Sequence, residues 1–387
     1  MAAVPRPLTP RAFRCRCGRP VFFRNSECLA CHTPLGYDPA LRQLLPLEPS
    51  GPAASGDGAM TLWRVCGRPR GRLYLRCPNL NTAAGCNWLV DLADDHATLS
   101  PGQAPLCRCC RLTRTLPDLS VAENRTWWLR IAQAQRRLVS ALMGLGLPVK
   151  ARTSEDPARG LVFDVLVSLP GQPRVMTGHA DGVITLDAEE ADDARREQRR
   201  TAMGEPYRTL LGHLRHETGH YYWQRLVQGH GDESGPWIDV FRHTFGDERQ
   251  DYAAALQAHY QRGAPADWPE RFVSAYASCH PWEDWAETWA HYLHLRDTLD
   301  TARSFGVDGE TVELSYERFQ RADLGPAGDE DAQAPAFLTL VNGWMELSGV
   351  LNELSRSMGV HDFYPFVLSK PALRKLHLVH RVIGAPA

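Results

Sequence analysis

Lysine is nearly absent from this 387-residue chain, which has three (Lys150, Lys370 and Lys375) against 40 arginines. The bias reads as genomic composition rather than function. No stretch approaches 18 consecutive apolar residues, which excludes a membrane-spanning helix. The opening MAAVPRPLTPRAFRCRCG lacks the apolar centre of a secretory leader, so the expected compartment is the cytoplasm. Cysteine is almost missing after residue 110, where only Cys279 occurs, and that thiol reads as a small buried hydrophobe. What remains is an ordinary globular composition, 43% apolar and 23% charged, long enough for two or three domains.

Ten of the eleven cysteines precede residue 111. In a reducing compartment such crowding reads as metal ligation rather than disulfides. Cys15-x-Cys17 and Cys28-x-x-Cys31 are two close thiol pairs that can surround one tetrahedral Zn²⁺. Gly18 permits the tight turn, PVFFRNSE reads as a short hairpin, and His32 is a substitute ligand to consider. A segment of about 40 residues buries too little surface to fold alone. Zinc supplies the missing free energy, roughly 10–16 kcal/mol in small structural sites. Cys77, Cys86, Cys107 and Cys110 form the second expected structural zinc site, leaving Cys66 and Cys109 unassigned. These boundaries give a zinc ribbon over 1–45, a Pro/Gly/Ser-rich linker over 46–61 and a second four-cysteine module over 62–118.

Residues 1–118 carry a formal +7 and the remainder −9. A zinc ion held by four thiolates carries −2, so two such sites reduce the basic excess to about +3. Nucleic acid is therefore disfavoured as a partner, and a protein partner for the ribbons is preferred.

The third region, 119–387, reads as mostly helical with a small sheet. Ser120 and Glu123 have capping-box spacing ahead of a helix over about 121–145. Residues 161–168 read as a strand, and 175–187 as a strand or hairpin turning at Ala180-Asp181-Gly182. Its segment GHADGVITL is a candidate edge strand for an extended peptide. The charged run 189–200 reads as a solvated helix face, and 330–387 as two covering helices.

Within 205–228, an expected helix, lies His216-Glu217-Thr218-Gly219-His220. Positions i and i+4 share a helix face, so His216 and His220 can hold one ion. Glu217 beside them can act as a general base toward water. A hydrolytic zinc needs a third protein ligand. Residues 281–294, PWEDWAETWAHYLH, form a second apolar helix with Glu283 and Glu287 four apart. A carboxylate pair on an aromatic helix is costly to bury unless it meets a cation. Spacing alone leaves both glutamates open as ligand.

Through the segments FRCRCGRPVFFRNSECLACHTPLGYDP, CRCCRLTRTLPDLS, MTGHADGVITL, EPYRTLLGHLRHETGHYYW, FGDERQDY and SAYASCHPWEDWAETWAHYLH, nearly the full chain resembles a bacterial zinc-binding metallopeptidase family with an N-terminal zinc ribbon. Its two helices look like those of gluzincins. The run from Tyr276 through Glu283 to Glu287 is similar to the Y-x6-E-x-x-A-E pattern in the gluzincin-like domain of anthrax lethal factor. That resemblance implies Glu283 as ligand, Glu287 orienting the site from outside the ligand set, and Tyr276 as oxyanion donor. The expected fold is thus α+β: a small-β zinc-ribbon region, then a mostly helical, zincin-like metallopeptidase domain.

The expected function is zinc-dependent hydrolysis of a peptide or protein substrate, with one catalytic and two structural zincs. The alternative is a zinc-ribbon adaptor carrying a weak or inactive peptidase domain. His213, His280 and His291 lie near enough in sequence to touch the site, and Asp247-Glu248-Arg249 reads as a helix cap with first-turn acids.

Overall fold

A computed structural model describes residues 8–52, 60–93, 105–230, 233–307, 312, 317–326 and 331–385. It divides into two compact units, Met1–Gln198 and Arg199–Ala387.

The first unit is strand-rich. Strands β1 (Ala12–Arg14) and β2 (Pro20–Phe22) pair antiparallel. The hairpin expected within PVFFRNSE therefore lies one step earlier, folded around the first cysteine pair. The turn closes because the Gly18 N–H donates to the Cys15 carbonyl at 2.9 Å, with Gly18 at φ +82°.

A five-stranded antiparallel sheet follows in the order β3 (Leu35–Asp38), β4 (Gln43–Pro52), β5 (Thr61–Val65), β6 (Tyr74–Arg76), β7 (Leu89–Asp91). It corrects the expected linker over 46–61. Residues 46–52 are strand, paired to β5 from Leu47↔Val65 to Pro52↔Thr61 with a bulge between Pro49 and Gly51. Alternating burial of Leu45 and Leu47 against Tyr74 and Leu89 outweighs the proline-rich composition. Residues 53–59 of that stretch lie outside the described residues. One sheet thus runs through both expected cysteine modules. Asn87 fastens them further, its side-chain amide donating to the carbonyls of Phe23 at 2.8 Å and Asn25 at 2.9 Å.

Helix α1 (Ala122–Gly144) has the expected extent but not the expected cap. Ser120 does not cap it, because the Asp118 carboxylate takes the Ser120 N–H at 2.9 Å and the chain enters the helix at Val121. A four-stranded sheet has the order β10 (Gly178–Ala180), β11 (Val183–Asp187), β9 (Val162–Leu166), β8 (Thr113–Thr115). The expected turn falls at Asp181 (φ +46°) and Gly182 (φ +77°), two left-handed residues that suit a tight hairpin. Strand β10 forms one edge of this sheet, but β11, the rest of the expected edge segment GHADGVITL, is paired on both sides. Helix α2 (Asp193–Ala202) buries no residue, as the charged run over 189–200 implied, but the run begins in a separate 3-10 turn that buries Glu190 and Ala191.

The second unit is helical: α3 (Leu210–Trp223), α4 (Ile238–Phe245), α5 (Tyr252–Arg262), α6 (Trp268–Arg271), α7 (Pro281–Ser304), α8 (Ala334–Ser357) and α9 (Lys370–Gly384). Helix α3 is shorter than the expected 205–228. Thr209 caps its start by accepting the Gly212 N–H, and residues Gln224–Gln228 continue as a wider π turn. The acids of Asp247-Glu248-Arg249 also sit differently from expectation. Asp251 is the cap of α5, taking the Ala254 N–H, while Asp247 and Glu248 pair with Arg249 and Arg242.

Helices α3 and α7 cross where Gly219 meets Ala286. A β-carbon on Gly219 would lie 2.9 Å from the Ala286 Cα, so only glycine allows this approach. The Trp285 indole N–H locks the crossing by donating to the Gly219 carbonyl at 2.9 Å. Among the described residues no helix is long and apolar enough to cross a membrane.

Candidate metal centre

The α3–α7 crossing determines which side chains meet. One turn of α3 carries His216, Glu217 and His220. Helix α7 begins at His280, whose Nδ1 accepts the Trp282 N–H, followed by Pro281 at the first turn. That start directs Glu283 toward the two histidines. Donor atoms of His216, His220 and Glu283 all lie within 4.8 Å of one another. The His216 and His220 Nε2 atoms are 3.2 Å apart, and Glu283 Oε2 is 3.0 Å from His216 Nε2. Glu283 is 1% exposed and His220 4%.

Glu287 settles the histidine tautomer. Its Oε1 lies 2.7 Å from His216 Nδ1, and its Oε2 accepts the Ser274 hydroxyl at 2.6 Å. Burial pushes the Glu287 carboxyl up, but His216 outweighs it and holds the value at about 2. An ionised carboxylate only accepts hydrogen bonds, so His216 donates from Nδ1. Its Nε2 lone pair then faces the Glu283 carboxylate, acceptor toward acceptor. Oε2 of Glu283 makes no hydrogen bond there. A cation between these atoms relieves that conflict. Without one, a proton must serve: burial lowers the His216 value, yet Glu283 and Glu287 drive it well above an ordinary imidazole. Burial likewise raises the Glu283 carboxyl, and the two histidines bring it well below the usual range. Two imidazoles and one carboxylate are a zinc donor set that leaves a position open.

Glu217 is 8% exposed, and burial raises its carboxyl above the ordinary value. That is the direction a general base needs to work nearer neutrality. Tyr276 is half-buried, its ring 6.0 Å from that of His216. Burial, then the charge of Glu283, raises its phenol, so it is a neutral O–H donor. The Trp282 ring packs on the His220 imidazole at 3.8 Å.

The remaining histidines have structural surroundings. His280 caps α7 and its Nε2 meets the Gln250 carbonyl at 3.3 Å. His291 is buried against the Tyr364 hydroxyl at 2.5 Å. His213 is half-buried one turn before His216, and Cys279 is half-buried rather than buried. Sequence reasoning missed two residues. Tyr252 donates its hydroxyl to Glu283 Oε1 at 2.7 Å, and Ser274 holds Glu287. Tyr252 lay in the FGDERQDY segment, but no spacing tied it to a helix 31 residues later.

The thiols assemble as two tetrads. Cys15, Cys17, Cys28 and Cys31 converge, with Sγ–Sγ distances of 3.6 Å (Cys15–Cys31) and 3.7 Å (Cys17–Cys28). His32 is exposed and faces Glu27 at 2.6 Å, away from that tetrad. Cys77, Cys86, Cys107 and Cys110 form the second, with Cys86 and Cys107 3.6 Å apart. Cys109 is buried outside the set, and its carbonyl accepts from Gln135. Cys66 is half-buried beside Arg16 at 4.0 Å. Four clustered sulfurs suit a soft ion held tetrahedrally, Zn²⁺ foremost, a preference that iron shares.

Two thiol tetrads in a strand-rich region, together with an imidazole–carboxylate triad on crossed helices, make a protein with three candidate zinc sites. The chain belongs to the zinc-binding metallopeptidase family. Residues 124–382 match the family described as "Putative zinc-binding metallo-peptidase", and residues 12–121 match a zinc-ribbon domain. The chain is 40% identical over 378 residues to the uncharacterised protein Rv2568c of Mycobacterium tuberculosis (strain ATCC 25618 / H37Rv). It has the same identity to the uncharacterised protein Mb2598c of Mycobacterium bovis. Each alignment covers 97% of this chain and 96% of the relative. No solved structure matches the chain significantly.

Proposed function

We propose that the chain is a gluzincin-type HExxH peptidase, hydrolysing peptide bonds with His216, His220 and Glu283 as the catalytic zinc ligands. The observation that carries this reading is the convergence of those three donor groups beside a buried carboxyl, Glu217. When bound, zinc supplies a Lewis acid that polarises a carbonyl and makes water a nucleophile near neutral pH. Glu217 takes the proton from the attacking water and delivers it to the leaving amine. Tyr276 donates its phenol hydrogen to the oxyanion that develops on the former carbonyl. Glu287, braced by Ser274, keeps His216 in the ligating tautomer. The two thiol tetrads hold structural zincs, three ions in all, in a reducing cytoplasmic setting where thiols persist as ligands. The ribbons offer a surface for a protein partner, while the substrate is a peptide or protein.

The test is Glu217→Gln. The variant should keep its zinc content and lose hydrolysis by about 10²–10⁴-fold. Cells making wild-type protein should show new peptide termini that cells making the variant lack. If both produce the same termini, the peptidase assignment is wrong.

A further inference from the structure

Beside the triad lies a cavity of about 620 Å³. Two of its walls also contact the metal ligands: Trp282, packed on His220, and Tyr252, bonded to Glu283. Trp223 and Ile238, both buried, add an apolar floor. Trp223 is 6% exposed, and its indole N–H has no hydrogen-bond partner among the described residues. The lining also carries the Arg242–Glu248 ion pair and Arg249, itself paired with Asp247, with the exposed Gln228 amide alongside.

We propose that this cavity is a side-chain subsite that holds a bulky aromatic residue next to the cleaved bond. The proposal rests on the peptidase reading above, since the cavity gains its meaning from its shared walls with the triad. Aromatic faces on several sides reward a flat apolar side chain by burial and by edge or offset contacts.

The experiment uses the zinc-loaded full chain and two hydroxamate dipeptides differing only in a benzyl or a hydrogen side chain, read by calorimetry. The benzyl compound should bind on the order of 10- to 100-fold more tightly. Gln228→Trp, a change at an exposed position, should narrow the cavity and erase most of that preference. Equal binding of the two compounds, binding of neither, or an unchanged preference in Gln228→Trp overturns the subsite. Digestion of a peptide library separates this outcome from failure of the peptidase reading. Cleavage without aromatic preference sinks the subsite and leaves the peptidase. A benzyl preference without any cleavage keeps the subsite and sinks the peptidase.

Discussion

Glu287 uses both carboxylate oxygens, one on His216 and one on Ser274. Its contribution is therefore orientation. Removing its charge in Glu287→Gln keeps the shape but lets the amide present an N–H to His216, which destabilises the Nδ1–H tautomer. Zinc affinity at the triad should fall about 10–100-fold, as measured by competition with a chelating dye, while the tetrads keep their zinc. Ser274→Ala should give a smaller fall in the same direction, and Tyr252→Phe should do likewise by freeing Glu283 Oε1. If Glu287→Gln binds the triad zinc as tightly as wild type, Glu287 is a packing residue only. Tyr252 and Ser274 were invisible in the sequence for one reason. Each acts through a single hydroxyl delivered by a loop or a helix start far along the chain, with no period or spacing to mark it. The histidines and glutamates were legible because helical geometry fixes i and i+4 on one face.

At the scale of elements, the α3–α7 crossing carries the site, and Gly219 is its pivot. Gly219→Ala would place a methyl 2.9 Å from the Ala286 Cα and 3.2 Å from its carbonyl oxygen, both backbone atoms that cannot turn aside. The helices must separate, which costs about 1–3 kcal/mol. The melting temperature of the helical unit should drop, and zinc at the triad should weaken because its ligands come from both helices. Retention of wild-type melting and affinity would mean that the crossing has slack. Elements themselves were only partly readable. The amphipathic runs of α1, α3 and α7 showed in the sequence, with the extent of α1 and the start of α7, but α3 is shorter than expected and α7 runs ten residues further. Asp118 displaced Ser120 as the organiser of the α1 start, and the π turn after Trp223 has no composition that announces it. Strand β4 was hidden because Pro46, Pro49 and Pro52 mimic a linker, whereas buried partners decide the matter. The first tetrad showed in its two close thiol pairs, whereas in the second only Cys107-x-x-Cys110 has knuckle spacing and Cys77 and Cys86 stand nine positions apart.

For the whole molecule, the three expected zincs differ in what they hold together. The triad sits on helices already packed through Trp285, Trp289 and Tyr222, all fully buried, so its ion is not needed to form them. The tetrads lie where the strand-rich unit has short strands. Zinc binding there, about 10–16 kcal/mol in small sites, rivals the net stability of an ordinary domain at about 5–15 kcal/mol. Access and charge set the order of loss. The triad has one anionic ligand and an open position. The first tetrad has four thiolates but an exposed Cys17. The second is sealed, with Cys77, Cys86 and Cys107 each at most 1% exposed. A chelator should therefore abolish hydrolysis with release of the first zinc and little change in circular dichroism. The next zincs should leave more slowly, the Cys77 set last, with loss of strand signal. Lowering the pH should hasten those later steps, because protonated thiols no longer ligate. Three zincs leaving together, or hydrolysis outlasting the first release, would show that the metals are not divided between chemistry and architecture in this way.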